Sequence, residues 1–84
     1  MGIFLFILIN LFNYNTLTGT VKDSKMGDEL VMVKVTSSID ETYTDLNGNY
    51  TIKLTEGDTI TFSYIGYETK TLCENQCKVV LLDR

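Results

Sequence analysis

Cys73 and Cys77 are the residues of this chain with the widest choice of chemistry, and their C-x3-C spacing narrows that choice. In an exported protein such a pair reads as a disulfide. Closing a five-residue loop stabilises by roughly 2 kcal/mol in the chain-entropy model, provided a hairpin brings the two Cα atoms within about 7 Å. Two free thiols are the alternative. Zinc normally takes four His, Cys or carboxylate ligands, and the sequence has no histidine, so neither a metal site nor any other cofactor is expected. Redox catalysis by the pair is disfavoured because the spacing is not C-x-x-C.

Oxygen ligands alternate along Asp45-Leu46-Asn47-Gly48-Asn49 in the manner of a calcium loop. An EF-hand loop, however, places its glycine later, ends on a glutamate and sits between helices, so a plain turn is the better reading. Tyr43, Tyr50, Tyr64 and Tyr67 with Phe62 could build a platform for a sugar ring. The competing expectation puts Tyr50, Phe62 and Tyr64 in the core with each hydroxyl reaching the surface, and leaves Tyr67 as the exposed contact residue. Acidic neighbours occur at Asp28-Glu29, at Asp40-Glu41 and at Glu56 with Asp58. Adjacent acids in turns are ordinarily solvated, and without histidine the usual general base is missing. No catalytic residue is expected, and the chain is not read as an enzyme.

The elements that must hold these residues are strands. The 84 residues include no proline and are rich in Thr, Val, Ile, Tyr and Phe, a mix that suits a pleated, half-buried surface. Seven strands fit the alternation: Leu17 to Asp23, Leu30 to Ser37, Glu41 to Thr44, Tyr50 to Leu54, a fifth carrying Ile60, Phe62 and Tyr64, Tyr67 to Cys73, and Lys78 to Leu82. In the second, Val31, Val33 and Val35 form the expected core face. Asn47-Gly48 tolerates the positive φ of primed turns and predicts a hairpin between the third and fourth strands. The last two strands are expected to form the hairpin that brings Cys73 to Cys77. The run Lys78 to Leu82 reads as buried on both faces or as a closing edge.

Several stretches, taken together, are specific: Gly19 to Asp23, Leu30 with Val33 and Val35, Thr44 to Tyr50, Gly57 to Ile60, and Phe62-Ser63-Tyr64-Ile65-Gly66-Tyr67. In this order they resemble the carboxypeptidase-regulatory-like domain family, including the version at the N-terminus of TonB-dependent outer-membrane transporters. The resemblance covers about Leu17 to Leu82. It implies a seven-stranded Greek-key, transthyretin-like all-β sandwich, an accessory module without peptidase activity. Met32 and Lys34 stand where the family commonly has small or polar residues, and Ser37 to Glu41 replaces a glycine-containing turn.

Ahead of the domain, Ile3 to Phe12 is an uncharged apolar run broken only by Asn10. About ten helical residues cover about 15 Å, half of a bilayer core, so a signal peptide is favoured over a spanning helix. The expected organisation is a leader over residues 1–15 and a β-sandwich over 16–84. Export to the periplasm or outer membrane follows as an expectation. Acidic side chains outnumber basic ones by 11 to 7 and the basic ones are scattered, which argues against nucleic acid as a partner. The expected partner is a protein, docked at an edge strand or another surface, in cis with a transporter; carbohydrate is the alternative.

Overall fold

The computed structural model describes residues 14–84, so the expected leader lies outside the described residues except for its last two positions. Seven strands occur among them: β1 (Asn15–Asp23), β2 (Lys34–Thr36), β3 (Glu41–Tyr43), β4 (Asn49–Leu54), β5 (Thr59–Ser63), β6 (Lys70–Cys73) and β7 (Val79–Leu82). The only helical element described is a single 3-10 turn, Glu74–Gln76. Two sheets pack face to face, one ordered β4-β1-β7 and the other β3-β2-β5-β6, giving an all-β sandwich.

Strict in-and-out alternation produces this packing. Along β4, Tyr50, Ile52 and Leu54 are buried while Asn49, Thr51 and Lys53 face water. On β5, Ile60 and Phe62 point inward between Thr59, Thr61 and Ser63. Val21, Leu30, Val33, Val35, Val80 and Leu82 complete the core from the other strands and the β1–β2 connection. Each such side chain contributes roughly 1.5–3 kcal/mol when fully buried. Tyr50 and Phe62 meet edge to face, with ring centroids 5.5 Å apart.

Strand β1 is the hub. Its first part, Asn15 to Thr20, pairs antiparallel with β4, and its last part, Thr20 to Asp23, pairs parallel with β7. In the other sheet β2 lies between β3 and β5, and among the described residues β6 pairs only with β5.

This topology corrects two expectations. The Asn47-Gly48 turn joins β3 to β4, but the two strands belong to different sheets, so it is a corner between layers and not a hairpin. Asp45 organises the corner: its Oδ1 accepts the N–H groups of Asn47 and Asn49 at 2.9 Å each, and its carbonyl accepts the Gly48 N–H at 3.0 Å. Gly48 has φ 75°, and its carbonyl accepts the Val21 N–H at 2.9 Å. The positive φ was legible; the partner strand was not. Likewise β6 and β7 are not a hairpin. The link from Glu74 to Lys78 crosses from one sheet to the other, and Cys73 and Cys77 are free thiols in this structure instead of the expected disulfide. Cys73 ends β6 on the exposed side, and Cys77 turns into the core.

The second strand is shorter than its valine alternation suggests. Met32 has φ 65°, in the left-handed region that side chains disfavour, and this breaks the extended run before Lys34. Val31 is therefore only half-buried, whereas Val33 and Val35 are fully buried as expected. Strand β6 also starts later than expected, because the Tyr67 N–H bonds to the Tyr64 carbonyl at 3.0 Å and the Glu68 N–H to the Asp83 carbonyl at 2.7 Å. Strand β7 is an edge: Val80 and Leu82 are buried, while Val79 and Leu81 face solvent.

Exposed edges invite unwanted pairing, and here most are blunted. On β4, the Asn49 carbonyl accepts the Asp45 N–H at 2.8 Å, the Lys53 N–H donates to Asp40 Oδ2 at 3.0 Å, and the Lys53 carbonyl accepts Ser37 Oγ at 2.6 Å. On β7, the Leu81 carbonyl accepts Lys70 Nζ at 2.6 Å. The Cys73 N–H at the end of β6 donates to Gln76 Oε1 at 3.1 Å. Strand β3 has only three residues.

Candidate functional site

The end of the sandwich where β1 and β7 finish carries a polar cluster built on Asp23. Asp23 closes β1 and is 3 % exposed. Its Oδ1 accepts the N–H groups of Lys25 at 2.8 Å and Met26 at 2.9 Å, the usual way an aspartate starts a turn. Its Oδ2 accepts the Tyr67 hydroxyl at 2.6 Å and Arg84 Nε at 3.2 Å. Arg84 Nε also reaches Tyr67 Oη at 3.0 Å, and its guanidinium stands 5.3 Å from the centre of the Tyr67 ring. Ser24 Oγ donates to Asp83 Oδ1 beside it. Three segments distant in sequence are thereby tied at one point.

The Tyr67 hydroxyl, then the Met26 and Lys25 N–H groups, and last Arg84 hold the Asp23 carboxyl far below the usual carboxylate range, against the opposing effect of burial. Asp58 is lowered chiefly by the Ser38 hydroxyl, and Asp40 by the Lys53 N–H. Tyr67 is raised, mainly by donating to Asp23. For the three acids the folded form binds the proton less tightly than the unfolded chain. Their stabilisation is therefore fully present above the ordinary value of 3.8 and is lost as pH falls below it. Thermal midpoints taken at pH 7, 5 and 3 should stay level between the first two and drop at the third. In Asp23→Asn the midpoint should be lower at pH 7 and the drop between pH 5 and pH 3 smaller. An equally steep acid limb in that variant would show that Asp23 is not its source.

Tyr67 is thus not the exposed contact residue that the sequence suggested. It is partly buried against the core, 5.5 Å from Tyr64 in a tilted ring pair, with its hydroxyl occupied. Tyr50 departs from expectation at its tip. The ring is core, as alternation predicts, but the hydroxyl stays inside and donates to the Cys77 carbonyl at 2.5 Å. Burial, first, and the neighbouring Cys77 push the Tyr50 hydroxyl well above its ordinary value, so it remains a donor throughout the physiological range. The tyrosines do not assemble into one exposed platform.

The residues brought together were mostly invisible to sequence reasoning. Asp23, before Ser24 to Gly27, looks like an ordinary turn initiator, and nothing local marks Tyr67 and Arg84 as its partners. Thr44 is similar: fully buried, it donates Oγ1 to the Leu30 carbonyl at 2.6 Å and accepts the Val33 N–H at 2.9 Å.

The same end of the sandwich presents apolar side chains to water. Met26 (71 % exposed), Met32 (61 %), Leu46 (85 %) and Ile65 (97 %) lie on the β1–β2, β3–β4 and β5–β6 connections. These three connections share one end, because Thr20 faces Asn49 at the start of β4, and Lys34 at the start of β2 faces both Tyr43 and Ser63. Among the described residues no three His, Cys, Asp or Glu side chains gather in a group fit for a metal ion.

No curated protein and no solved structure matches this chain. A family model does match, over residues 17–79, and it spans most of the sequence. That model describes a regulatory, non-catalytic domain, in keeping with the two-sheet sandwich. The chain belongs to the CarboxypepD_reg-like domain family.

Proposed function

We propose that the chain is a non-catalytic accessory module of an exported protein, periplasmic or outer-membrane-associated, of the kind that precedes TonB-dependent transporters. Its partner is the protein surface of that transporter, met through the apolar loop end. The carrying observation is the contrast between blunted strand edges and four exposed apolar side chains gathered at one end. Soluble domains rarely leave large apolar side chains clustered in water without a use for them. The order β4-β1-β7 against β3-β2-β5-β6 supports a transthyretin-like Greek key. A non-catalytic role agrees with the lowered acids, since a general acid needs its carboxyl raised.

Photo-crosslinking in cells tests the docking surface. A crosslinking side chain at Ile65 should capture a transporter polypeptide, identified by mass spectrometry, and one at Thr18 on the outer face of β1 should not. Met26→Asp with Leu46→Asp should abolish capture without lowering the thermal midpoint, because both positions are exposed. Equal capture from Thr18, or none from Ile65, removes this surface. Export has a separate test, since a native protein whose N-terminal sequence begins at Met1 contradicts a cleaved leader. The carbohydrate alternative predicts glycan-array binding that Tyr67→Ala destroys, and no exposed aromatic platform favours it.

A further inference from the structure

The two thiols flank the turn that carries the chain from one sheet to the other, and they are unlike each other. Cys73 is exposed; Cys77 is fully buried. Cys77 belongs to the buried core, and its thiol lies at the edge of that core nearest the turn. Its Sγ donates to the Cys73 carbonyl at 3.1 Å, so it is turned back on the residue that bears the other sulfur. The Cys77 backbone is fixed from both sides. Its carbonyl takes the Tyr50 hydroxyl and its N–H meets the Glu74 carbonyl at 3.3 Å. Closing a bond therefore falls to the Cys73 side chain, which is exposed and stands at the head of the same turn.

We infer that Cys73 and Cys77 form a thiol–disulfide exchange site, in which Cys73 takes up a small disulfide such as oxidised glutathione and Cys77 resolves it. In the first step Cys73 gives its proton to solvent and its thiolate attacks the small disulfide. A mixed disulfide forms on Cys73, and one glutathione leaves as thiolate. In the second step Cys77 gives up its proton and attacks the Cys73 sulfur, forming the Cys73–Cys77 bond and releasing the second glutathione. The two protein thiols are oxidised and the small disulfide is reduced to two thiols. Burial raises the Cys77 thiol, which leaves the first attack to Cys73. An exposed cysteine beside a resolving one is the usual layout of a redox-responsive pair. The closed bond would join the end of β6 to the start of β7 and so link the two sheets covalently.

Intact mass measurement of the full chain decides this. The reduced protein is equilibrated with oxidised glutathione at mildly alkaline pH and quenched with an alkylating reagent. The unmodified chain should lose two hydrogens, retain no glutathione and resist alkylation at both cysteines. Cys77→Ala should hold one glutathione on Cys73. Cys73→Ser, altered only at an exposed position, should take up none while folded, which keeps the test informative should Cys77→Ala fail to fold. Glutathione held stably by the unmodified chain, two cysteines still open to alkylation, or chains joined in pairs would each overturn the inference.

Discussion

Gly19→Val is expected to abolish the cooperative thermal transition of the domain. Gly19 faces Tyr50 across the β1–β4 ladder. A Cβ at Gly19 would stand 2.2 Å from the Cys77 carbonyl oxygen, 2.7 Å from Tyr50 Oη and 2.8 Å from Tyr50 Cε1. Nothing there yields cheaply. The carbonyl is backbone, and the tyrosine ring is held edge to face by Phe62. Overpacking of this kind costs about 1–3 kcal/mol and occasionally more. Pushing the ring aside also separates the Tyr50 hydroxyl from the Cys77 carbonyl, and each buried group left unpaired costs about 1–3 kcal/mol. The total is comparable with the whole stability of a domain this small, from roughly 0.05–0.15 kcal/mol per residue. Tyr50→Phe should not rescue Gly19→Ala, because the closest obstacle is the carbonyl and not the hydroxyl. Circular dichroism melts of the three variants settle the matter; a Gly19→Val protein melting near the unmodified one would mean that β1 and the Cys77 link can part without penalty.

Thr44→Val should be the most damaging near-isosteric change in the domain. Shape is almost conserved, but the Leu30 carbonyl loses its donor and the Val33 N–H its acceptor. With both groups buried, the expected loss is about 2–6 kcal/mol, from about 1–3 for each unpaired group. Thr44→Ser keeps both bonds and removes one methyl, at about 1 kcal/mol. Urea titrations should therefore show a large fall in midpoint for Thr44→Val and a small one for Thr44→Ser, with the slope unchanged in both. Similar midpoints for the two variants would mean that the methyl, and not the hydroxyl, is what the site requires.

Alternation made the core faces of β4 and β5 readable to the residue, because a strand half buried in a sandwich must place every second side chain inside. It carried no information about which sheet receives a strand. The Asn47-Gly48 signal failed for that reason: a positive φ is demanded equally by a hairpin and by a corner between layers. The expected last hairpin failed in the same way, since the link between β6 and β7 runs from sheet to sheet. Val31 was placed in the core because Met32 has no local sign of a left-handed backbone. The polar cluster was beyond sequence reasoning, as Asp23, Tyr67 and Arg84 meet only after β1 and β7 lie side by side. The family resemblance supplied the sandwich, but no partner residues.

The parallel pairing of β1 with β7 also sets the timing of folding. Strand β1 is the first element of the described fold and β7 the last, yet they pair, β1 at the centre of its sheet and β7 at the edge. A chain emerging from the ribosome can assemble β2, β3, β5 and β6 while the N–H groups of Thr20 and Ser24 still lack their acceptors, the carbonyls of Lys78 and Leu82. Long-range pairings of this kind slow folding, and unpaired strands are aggregation-prone while they wait. The domain becomes one cooperative unit only when Leu82 is free, so a holding factor acting during synthesis would find its target in β1.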